Sequence, residues 1–337
     1  MEKLLTIVVP TYNIPQYIGK NIKSFQQVKD EYKDYFEVLI INDGSKDNTV
    51  EVAKNIIEKD NKLDIRIIDK ENGGHGSTIN RGIEEAKGKY FKVIDGDDWI
   101  NVEEFEQYLN KLSAVDVDMI ITDYTEQHIY NGDVVRIKGI EQIEKDIVFD
   151  NIPNKRIPMH ALSYKTKILK DNSIRLSEKV FYVDMQYTLF PLEYVKSYVY
   201  WNLDIYQYFL GRPEQSMAIE SMKKNIHHHL IVTKTILSFY DNVYQNDYLK
   251  EVLVSTLDYL INTQVLISLL VENKDELLRE LFYEIDKSKF DYKFNRKQKR
   301  TSLEYINYKT KGIFSKFIRG ITLNQVKRQL GDENSLC

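Results

Sequence analysis

Four short apolar runs in the first hundred residues, each followed by an amphipathic stretch, leave little choice of fold. The runs are Leu4-Leu5-Thr6-Ile7-Val8-Val9, Phe36-Glu37-Val38-Leu39-Ile40-Ile41, Leu63 to Ile68, and Tyr90-Phe91-Lys92-Val93-Ile94. Near-continuous apolar runs of this length read as strands of a parallel sheet covered on both faces. Between them, Ile18, Ile22 and Phe25 in the stretch Tyr17 to Val28 recur at helical spacing, as do Val50, Ala53, Ile56 and Ile57, and then Ile79, Ile83 and Ala86. Asp47 or Asn48 can cap the second of these helices, and Gly88 closes the third. Strand and helix alternate as in parallel βαβ units.

The common nucleotide fingerprints do not fit. The first strand runs into Pro10-Thr11-Tyr12-Asn13 rather than Gly-x-Gly-x-x-Gly, and the glycines at 73, 74 and 76 follow the third strand instead. No phosphate-cradling Gly-x-x-x-x-Gly-Lys-Ser/Thr is present. The fourth strand runs straight into Asp95-Gly96-Asp97-Asp98, with Gly96 allowing a tight turn. Three carboxylates at the carboxyl end of a strand stand where open α/β sheets bind ligands. They repel one another unless a cation neutralises them, and hard oxygen ligands suit Mg2+ or Mn2+ carrying a diphosphate. The alternative is a helix cap, Asp97 or Asp98 standing before Val102-Glu103-Glu104-Phe105.

Thr6-Ile-Val-Val-Pro-Thr-Tyr-Asn13, Ile41-Asn-Asp-Gly-Ser-Lys-Asp47, Asn80-Arg-Gly-Ile83 with Ala86 and Gly88, and Asp95-Gly-Asp-Asp98 stand in the order and spacing of glycosyltransferase family 2. The chain resembles these inverting, nucleotide-sugar-dependent enzymes strongly over residues 4–105 and more weakly to about residue 216. The resemblance implies a GT-A-type α/β fold, a mostly parallel sheet flanked by helices. It also implies a divalent metal, Mn2+ or Mg2+, and a UDP-sugar donor. Pro10, Thr11 and Tyr12 would line the uracil and ribose pocket, with Asn13 and Asp95 in the same donor set. Asp43 would hydrogen-bond the base, and Arg81 would lie near the base or the diphosphate. Asp97 would hold the ribose or the metal shell, and Asp98 would ligate the metal. Each has a plainer alternative: Pro10 and Asn13 make an ordinary turn, Asp43-Gly44 is a turn dipeptide, and Arg81 could sit on a helix surface.

Direct displacement at the anomeric carbon needs one base to take the acceptor proton. Where the family carries an acidic pair before an apolar helix, this chain has Val183-Asp184, so Asp184 is the expected base, with Asp123 and Glu178 as substitutes and helix capping as its alternative role. His160 and Arg212 are the expected acceptor-side contacts; Arg212 would clamp the diphosphate or form a surface ion pair. Val117 to Tyr124 reads as a further strand, hairpinned with Val134 to Ile137 across Asn131-Gly132.

Residues 1–216 are therefore expected to form the transferase domain, with a nucleotide-sugar half, 1–105, and an acceptor half, 106–216. Residues 217–337 are expected to form a helical region that packs on the sheet domain or on another subunit, as in a homo-oligomer. The triplet His227-His228-His229 cannot share one helix face and reads as the polar start of a helix rather than a metal site. From Lys293 to Arg328 eleven basic residues face one acid, Glu304, so this segment carries +10 and the rest of the chain, at a total of −4, carries −14. Ile313, Phe314, Phe317, Ile318 and Ile321 form one face there, a basic amphipathic pattern suited to an anionic membrane surface. An acidic body argues against nucleic acid. The single cysteine, Cys337, fits a reducing cytosol, and no run of about 18 apolar residues would span a bilayer. Nor is a signal peptide visible, since Met1-Glu2-Lys3 leads into a short run ended by Pro10. The expected place is the cytoplasm, at the inner face of the membrane, near a glycan or lipid-linked acceptor. The processive Gln-x-x-Arg-Trp motif is absent; the only tryptophans are Trp99 and Trp201. That favours addition of one sugar in envelope polysaccharide assembly. A nucleotidyltransferase and a non-catalytic nucleotide-sugar binding protein are the rival readings; a glycosidase would need two opposed carboxylates instead.

Overall fold

The computed structural model describes residues 3–60, 62–141, 144–211, 215–216, 218–293, 298–313, 318 and 320–322. Two compact units emerge: Met1–Pro153 with Ile157–Gly211, and Asn154–Arg156 with Arg212–Cys337.

The first unit opens with β1 (Leu5–Thr11), α1 (Ile18–Gln26), α2 (Asp30–Lys33), β2 (Phe36–Asn42), α3 (Thr49–Ile57), β3 (Ile65–Asp69), α4 (His75–Glu85) and β4 (Tyr90–Val93). Then come β5 (Trp99–Ile100), α5 (Val102–Leu112), β6 (Met119–His128), β7 (Val134–Ile137), β8 (Val148–Phe149), β9 (Leu162–Lys165), α6 (Thr166–Asp171), α7 (Asp184–Leu189) and β10 (Tyr198–Leu210). One mixed sheet runs β3-β2-β1-β4-β9-β6-β10-β5, with β7 on β6 and β8 on β10. The strands β3, β2, β1 and β4 are parallel, as alternating strand and helix demand. β1 and β2 are buried along their whole length because helices cover both faces. The sheet is not parallel throughout: β9 lies antiparallel between β4 and β6, while β10 runs parallel to β6. The Asn131-Gly132 hairpin forms as expected, pairing β6 with β7.

Long-range polar contacts fix this arrangement. Thr6 Oγ1 donates to Glu37 Oε1 at 2.7 Å, and the same carboxylate receives the Lys87 N–H at 2.7 Å and Arg66 Nη2 at 3.0 Å. Glu37 is fully buried, so these partners are what make its charge tolerable. Gly88 follows immediately because a Cβ there would lie 2.4 Å from the Leu5 carbonyl carbon.

The second unit is helical: α8 (Ile219–Lys224), α9 (Ile226–Val243), α10 (Asp247–Ser268), α11 (Lys274–Lys287) and α12 (Lys299–Lys309). The helical pattern from residue 219 is broken at Asn225 and again at Asn246, whose side chain caps α10 by accepting from Tyr248 N and Leu249 N. His227 to His229 lie in the first turn of α9, but His229 is buried rather than solvated and its Nδ1 bonds Gln264 Oε1 at 2.7 Å. Among the described residues no helix is long and apolar enough to cross a membrane. Arg212 and most of the basic amphipathic face, including Phe314, Lys316, Phe317 and Arg319, lie outside the described residues.

Candidate active site

The acidic turn after β4 is pinned from two sides, by β1 and by α1. Ile94 N donates to Val8 O and Gly96 N to Pro10 O, so the turn closes against the end of β1. Only glycine fits at 96, since a Cβ would come within 2.5 Å of Ile14 Cδ1 and 2.9 Å of Pro10 O. From α1, Asn21 Nδ2 donates to the carbonyls of Asp95 and Asp98. The helix-cap alternative is removed, because Asn101 caps α5 and accepts the Glu104 N–H.

The three carboxylates then part company. Asp98 turns inward, is 1% exposed, and accepts from Tyr206 Oη at 2.5 Å and Phe209 N at 2.8 Å. Burial, and then the charge of Asp95, push its pKa well above the usual carboxylate value; Tyr206, Phe209 and Lys20 offset this only in part. Asp95 is half-buried and meets His75 Nε2 at 2.8 Å. Asp97 is half-buried in the same turn.

His160 arrives from a 3-10 turn, Met159–Ala161, just before β9. Its ring stacks on Tyr208 at 4.1 Å and meets Tyr206 at 4.8 Å and Tyr124 at 5.3 Å. Asp95, Asp98 and His160 each offer one ligand atom, all within 4.8 Å of one another. Among the described residues this is the group able to hold an ion. Two carboxylate oxygens suit a hard divalent ion such as Mn2+ or Mg2+, and the imidazole nitrogen favours a transition ion such as Mn2+ over Mg2+. A divalent cation would also offset the Asp95 repulsion that adds to burial in raising the Asp98 pKa, so the residues fit a metal. The composition differs from the sequence expectation: His160 and Asp95 join Asp98 in this group, and Asp97 does not.

Two residues that sequence reasoning passed over complete the group. Lys92, in the middle of β4, is fully buried; its Nζ donates to His160 O at 2.8 Å and Leu162 O at 3.2 Å. Burial lowers its pKa to about 7. His75 opens α4 inside the glycine-rich loop. Burial opposes its charged form, but Asp95, and more distantly Asp184 and Asp43, outweigh that, and its pKa is raised. A histidine set between Gly74 and Gly76 was the available sequence signal.

The loops at the ends of β1 and β2 are laced together. Asn13, with φ at +50°, donates its N–H to Ser45 Oγ and accepts the Lys46 N–H on Oδ1. Pro10 and Thr11 are buried beneath this turn, and Tyr12 stands out with 47% exposure. Asp43 is buried, and both its oxygens are engaged: Oδ1 accepts from Lys70 Nζ at 2.8 Å and Gly73 N at 2.9 Å, and Oδ2 from Gly74 N at 2.8 Å. It orders the glycine-rich loop. Arg81 is not brought to this group: it is half-exposed on α4 and pairs with Glu85, whose other partner, Arg66, reaches the Glu37 end of β2.

The glycine-rich loop in turn holds the segment that leads to Asp184. Lys179 N donates to Gly73 O at 2.6 Å, and Asn80 bonds both the N–H and the carbonyl of Leu176 at 2.9 Å. Lys179 and Tyr182 have φ of +59° and +65°, left-handed conformations uncommon outside glycine. Asp184 is the first residue of α7; Val183 takes the cap position. Its carboxylate is half-buried and near enough to His75 and Tyr208 to act on both electrostatically. The substitutes fare differently. Asp123 is buried under Tyr200 Oη, Gly139 N and Arg136 Nε, and Glu178 receives Asn80 Nδ2 at 3.3 Å.

The model of the family described as "Glycosyl transferase family 2" matches residues 6–174. The uncharacterized glycosyltransferase MG060 of Mycoplasma genitalium is 32% identical over 224 residues, 64% of this chain and 72% of its own length. Other curated relatives are matched over 33%, 21% and 40% of their length, so the chain spans less than half of these. Among solved structures, S. aureus TarS residues 1–349 in complex with UDP-GlcNAc aligns with a TM-score of 0.54 at 18% identity, over 91% of this chain and 92% of that one. The mannosyltransferase PcManGT of Pyrobaculum calidifontis, in complex with GDP-Man and Mn2+, aligns with a TM-score of 0.51 at 11% identity, over 94% and 88%. At these identities the two structures establish the shared fold.

Proposed function

The chain belongs to glycosyl transferase family 2, and on that premise we propose that it moves a single sugar, with inversion, from a UDP-sugar to a hydroxyl of a glycan or lipid-linked acceptor. The observation that carries this reading is the convergence of Asp95, Asp98 and His160 at the carboxyl ends of the strands, with Asp184 beside them. The complexes of the two structural neighbours with UDP-GlcNAc and with GDP-Man and Mn2+ support a nucleotide diphosphate-sugar as donor.

Pro10, Thr11, Tyr12 and Asn13 form the edge on which base and ribose lie, with the Tyr12 ring exposed for stacking. Asp43 supports that edge from below, and a direct bond to the base would replace one from Lys70 or Ser77. Asp95, Asp98 and His160 would hold the divalent ion, with Asp97 facing the ribose or the outer shell. When bound, the ion would supply Lewis-acid neutralisation of the diphosphate leaving group. His75, hydrogen-bonded to Asp95, stands at the same place, and its charged form is favoured there. Asp184 takes the acceptor proton, since it is the half-buried carboxylate beside the group while Asp123 is enclosed by donors. We assign Arg81 to the helix surface and Arg212 to a phosphate clamp. The charge of segment 293–328 supports contact with an anionic membrane face, where a lipid-linked acceptor would be presented.

The test is nucleoside diphosphate release from a panel of UDP- and GDP-sugars with Mn2+, Mg2+ or EDTA. Metal-dependent release from one donor, lost in Asp98→Ala and strongly slowed in Asp184→Asn, is the expected result. Pyrophosphate release would point to a nucleotidyltransferase. Donor binding with no release, even with acceptors present, would point to a binding protein.

A further inference from the structure

His160 is one member of a row that continues along the same face of the sheet. In the β6–β10 register Tyr206 lies opposite Tyr124 and Tyr208 opposite Glu126, and partners in register point to the same side. The His160 ring touches Tyr124, Tyr206 and Tyr208, which fixes that side as the one bearing the acidic group. Tyr206 is spent on Asp98. Tyr208 is different. It is half-buried, its ring is held flat against His160, and among the described residues its hydroxyl has no hydrogen-bond partner. A phenol is a donor at neutral pH, and the carboxylates of Asp98, Asp95, Asp184 and Glu126 all act on this one.

Glu126 carries the row outward. Its Oε2 meets His128 Nε2 at 3.1 Å, and Tyr130 Oη bonds His128 Nδ1 at 2.9 Å, so the carboxylate is held in place from behind. Its Oε1 has no partner among the described residues, and the side chain is 26% exposed. A fixed phenol donor next to a fixed carboxylate acceptor is complementary to a polyol, whose hydroxyls both donate and accept. With Asp95 and Asp98 committed to the cation, the remaining carboxylates, Glu126 and Asp184, disfavour a phosphate or carboxylate beside them.

We propose that Tyr208 and Glu126 form the acceptor subsite, that they bind a neutral sugar or polyol there, and that Tyr208 orients the attacking hydroxyl. The inference rests on the transferase reading above. In it the attacking hydroxyl donates its hydrogen to Asp184 and accepts one from Tyr208, so that its remaining lone pair faces the anomeric carbon. The acceptor oxygen forms the new bond as the bond to the diphosphate breaks, and its proton passes to Asp184. Glu126 receives a second hydroxyl of the acceptor and sets which hydroxyl is presented. Any anionic part of a lipid-linked acceptor must then lie outside this row.

The experiment uses the full chain and whichever UDP-sugar shows metal-dependent release. UDP release is measured without acceptor, which reports transfer to water, and then with methyl β-glucoside or glycerol as neutral probes and glycerol 3-phosphate as an anionic one. Donor affinity is measured by calorimetry. The expected result is stimulation by a neutral probe and not by glycerol 3-phosphate. Tyr208→Phe should lose at least tenfold of that stimulation, and Glu126→Gln should raise the probe KM at least fivefold with kcat largely kept. Donor affinity should be unchanged in both variants, which also shows that they fold. Full stimulation in Tyr208→Phe with an unchanged KM in Glu126→Gln would overturn the inference, as would preferential stimulation by glycerol 3-phosphate. Absence of UDP release from every donor in the unaltered chain would instead overturn the transferase reading.

Discussion

Gly76→Ala is the substitution whose outcome the geometry defines best. Gly76 lies in the first turn of α4 with ordinary helical φ, so on propensity alone alanine should stabilise the helix by about 0.5–1 kcal/mol. The obstacle is the Ser177 carbonyl oxygen, which an added Cβ would approach to 2.1 Å. Real Cβ contacts essentially never fall below 3.0 Å, so α4 and the 176–180 segment must separate by roughly 1 Å. Three hydrogen bonds cross that gap: Lys179 N to Gly73 O, and the two between Asn80 and Leu176. At about 1 kcal/mol each, weakening two or three outweighs the propensity gain and leaves a net loss of about 1–2 kcal/mol. For a domain of this size that is a drop in Tm of roughly 2–8 °C. The effect on turnover should be larger. The displaced segment carries Asp184, the proposed base, and a shift of about 1 Å in a reacting group costs on the order of 100-fold, or about 2.7 kcal/mol in the barrier. The assay pairs nucleoside diphosphate release at saturating donor with thermal unfolding. A variant that melts at or above the parent temperature and turns over at the parent rate would refute the claim that glycine is required there for close approach.

Lys92→Met should change the pH dependence of stability in a definite direction. The lysine binds its proton below 10.5 when unfolded but only below about 7 when folded, so the burial penalty is complete below pH 7 and fades as pH rises from 7 to 10. The parent should gain on the variant by on the order of 1.4 kcal/mol per pH unit across that window, read from urea unfolding at several pH values, and a constant gap would contradict this. His229 behaves oppositely: buried and neutral, its folded pKa is about 4 against 6.5 unfolded, so stability is complete above pH 6.5 and is lost as pH falls to 4, by about 3 kcal/mol. His229→Gln should flatten that acid loss in a denaturant series. Asp43→Asn turns one acceptor oxygen into a donor facing Lys70 or the Gly73 and Gly74 N–H groups. It should cost about 2–3 kcal/mol and loosen the glycine-rich loop, seen as faster amide exchange at Gly73 and Gly74; unchanged exchange would show that the carboxylate does not order the loop.

The first hundred residues of the fold were legible because their information is local. Uninterrupted apolar runs, helical periodicity and the glycines at 88 and 96 each declare their element without reference to distant parts of the chain. The Asn131-Gly132 hairpin was legible for the same reason. β9 was not, because Leu162–Lys165 owes its place to antiparallel pairing with strands lying far away in sequence. The site divides in the same way. Asp95, Asp98 and Asp184 announce themselves by type and position. Lys92 looks like a flaw in an apolar strand until the carbonyls of residues 160 and 162 arrive, and His75 has no meaning without Asp95. Asp43 and Arg81 show what motif position leaves out: it carries no sign that the Asp43 carboxylate orders the glycine N–H groups or that Arg81 pairs along its own helix with Glu85.

The antiparallel seam between β4 and β9 also bears on how the chain is made. Synthesis completes β4 some seventy residues before Leu162–Lys165 exists to pair with it, an interval of roughly 4–15 s on a ribosome. During that time β4 is an open edge of an otherwise apolar sheet, the kind of edge that recruits other chains. Lys92 sits in the middle of it. The charge that is later buried against two carbonyls first serves as a guard on an unfinished edge, so Lys92→Met would expose the nascent chain to aggregation before its effect on the finished enzyme could be felt.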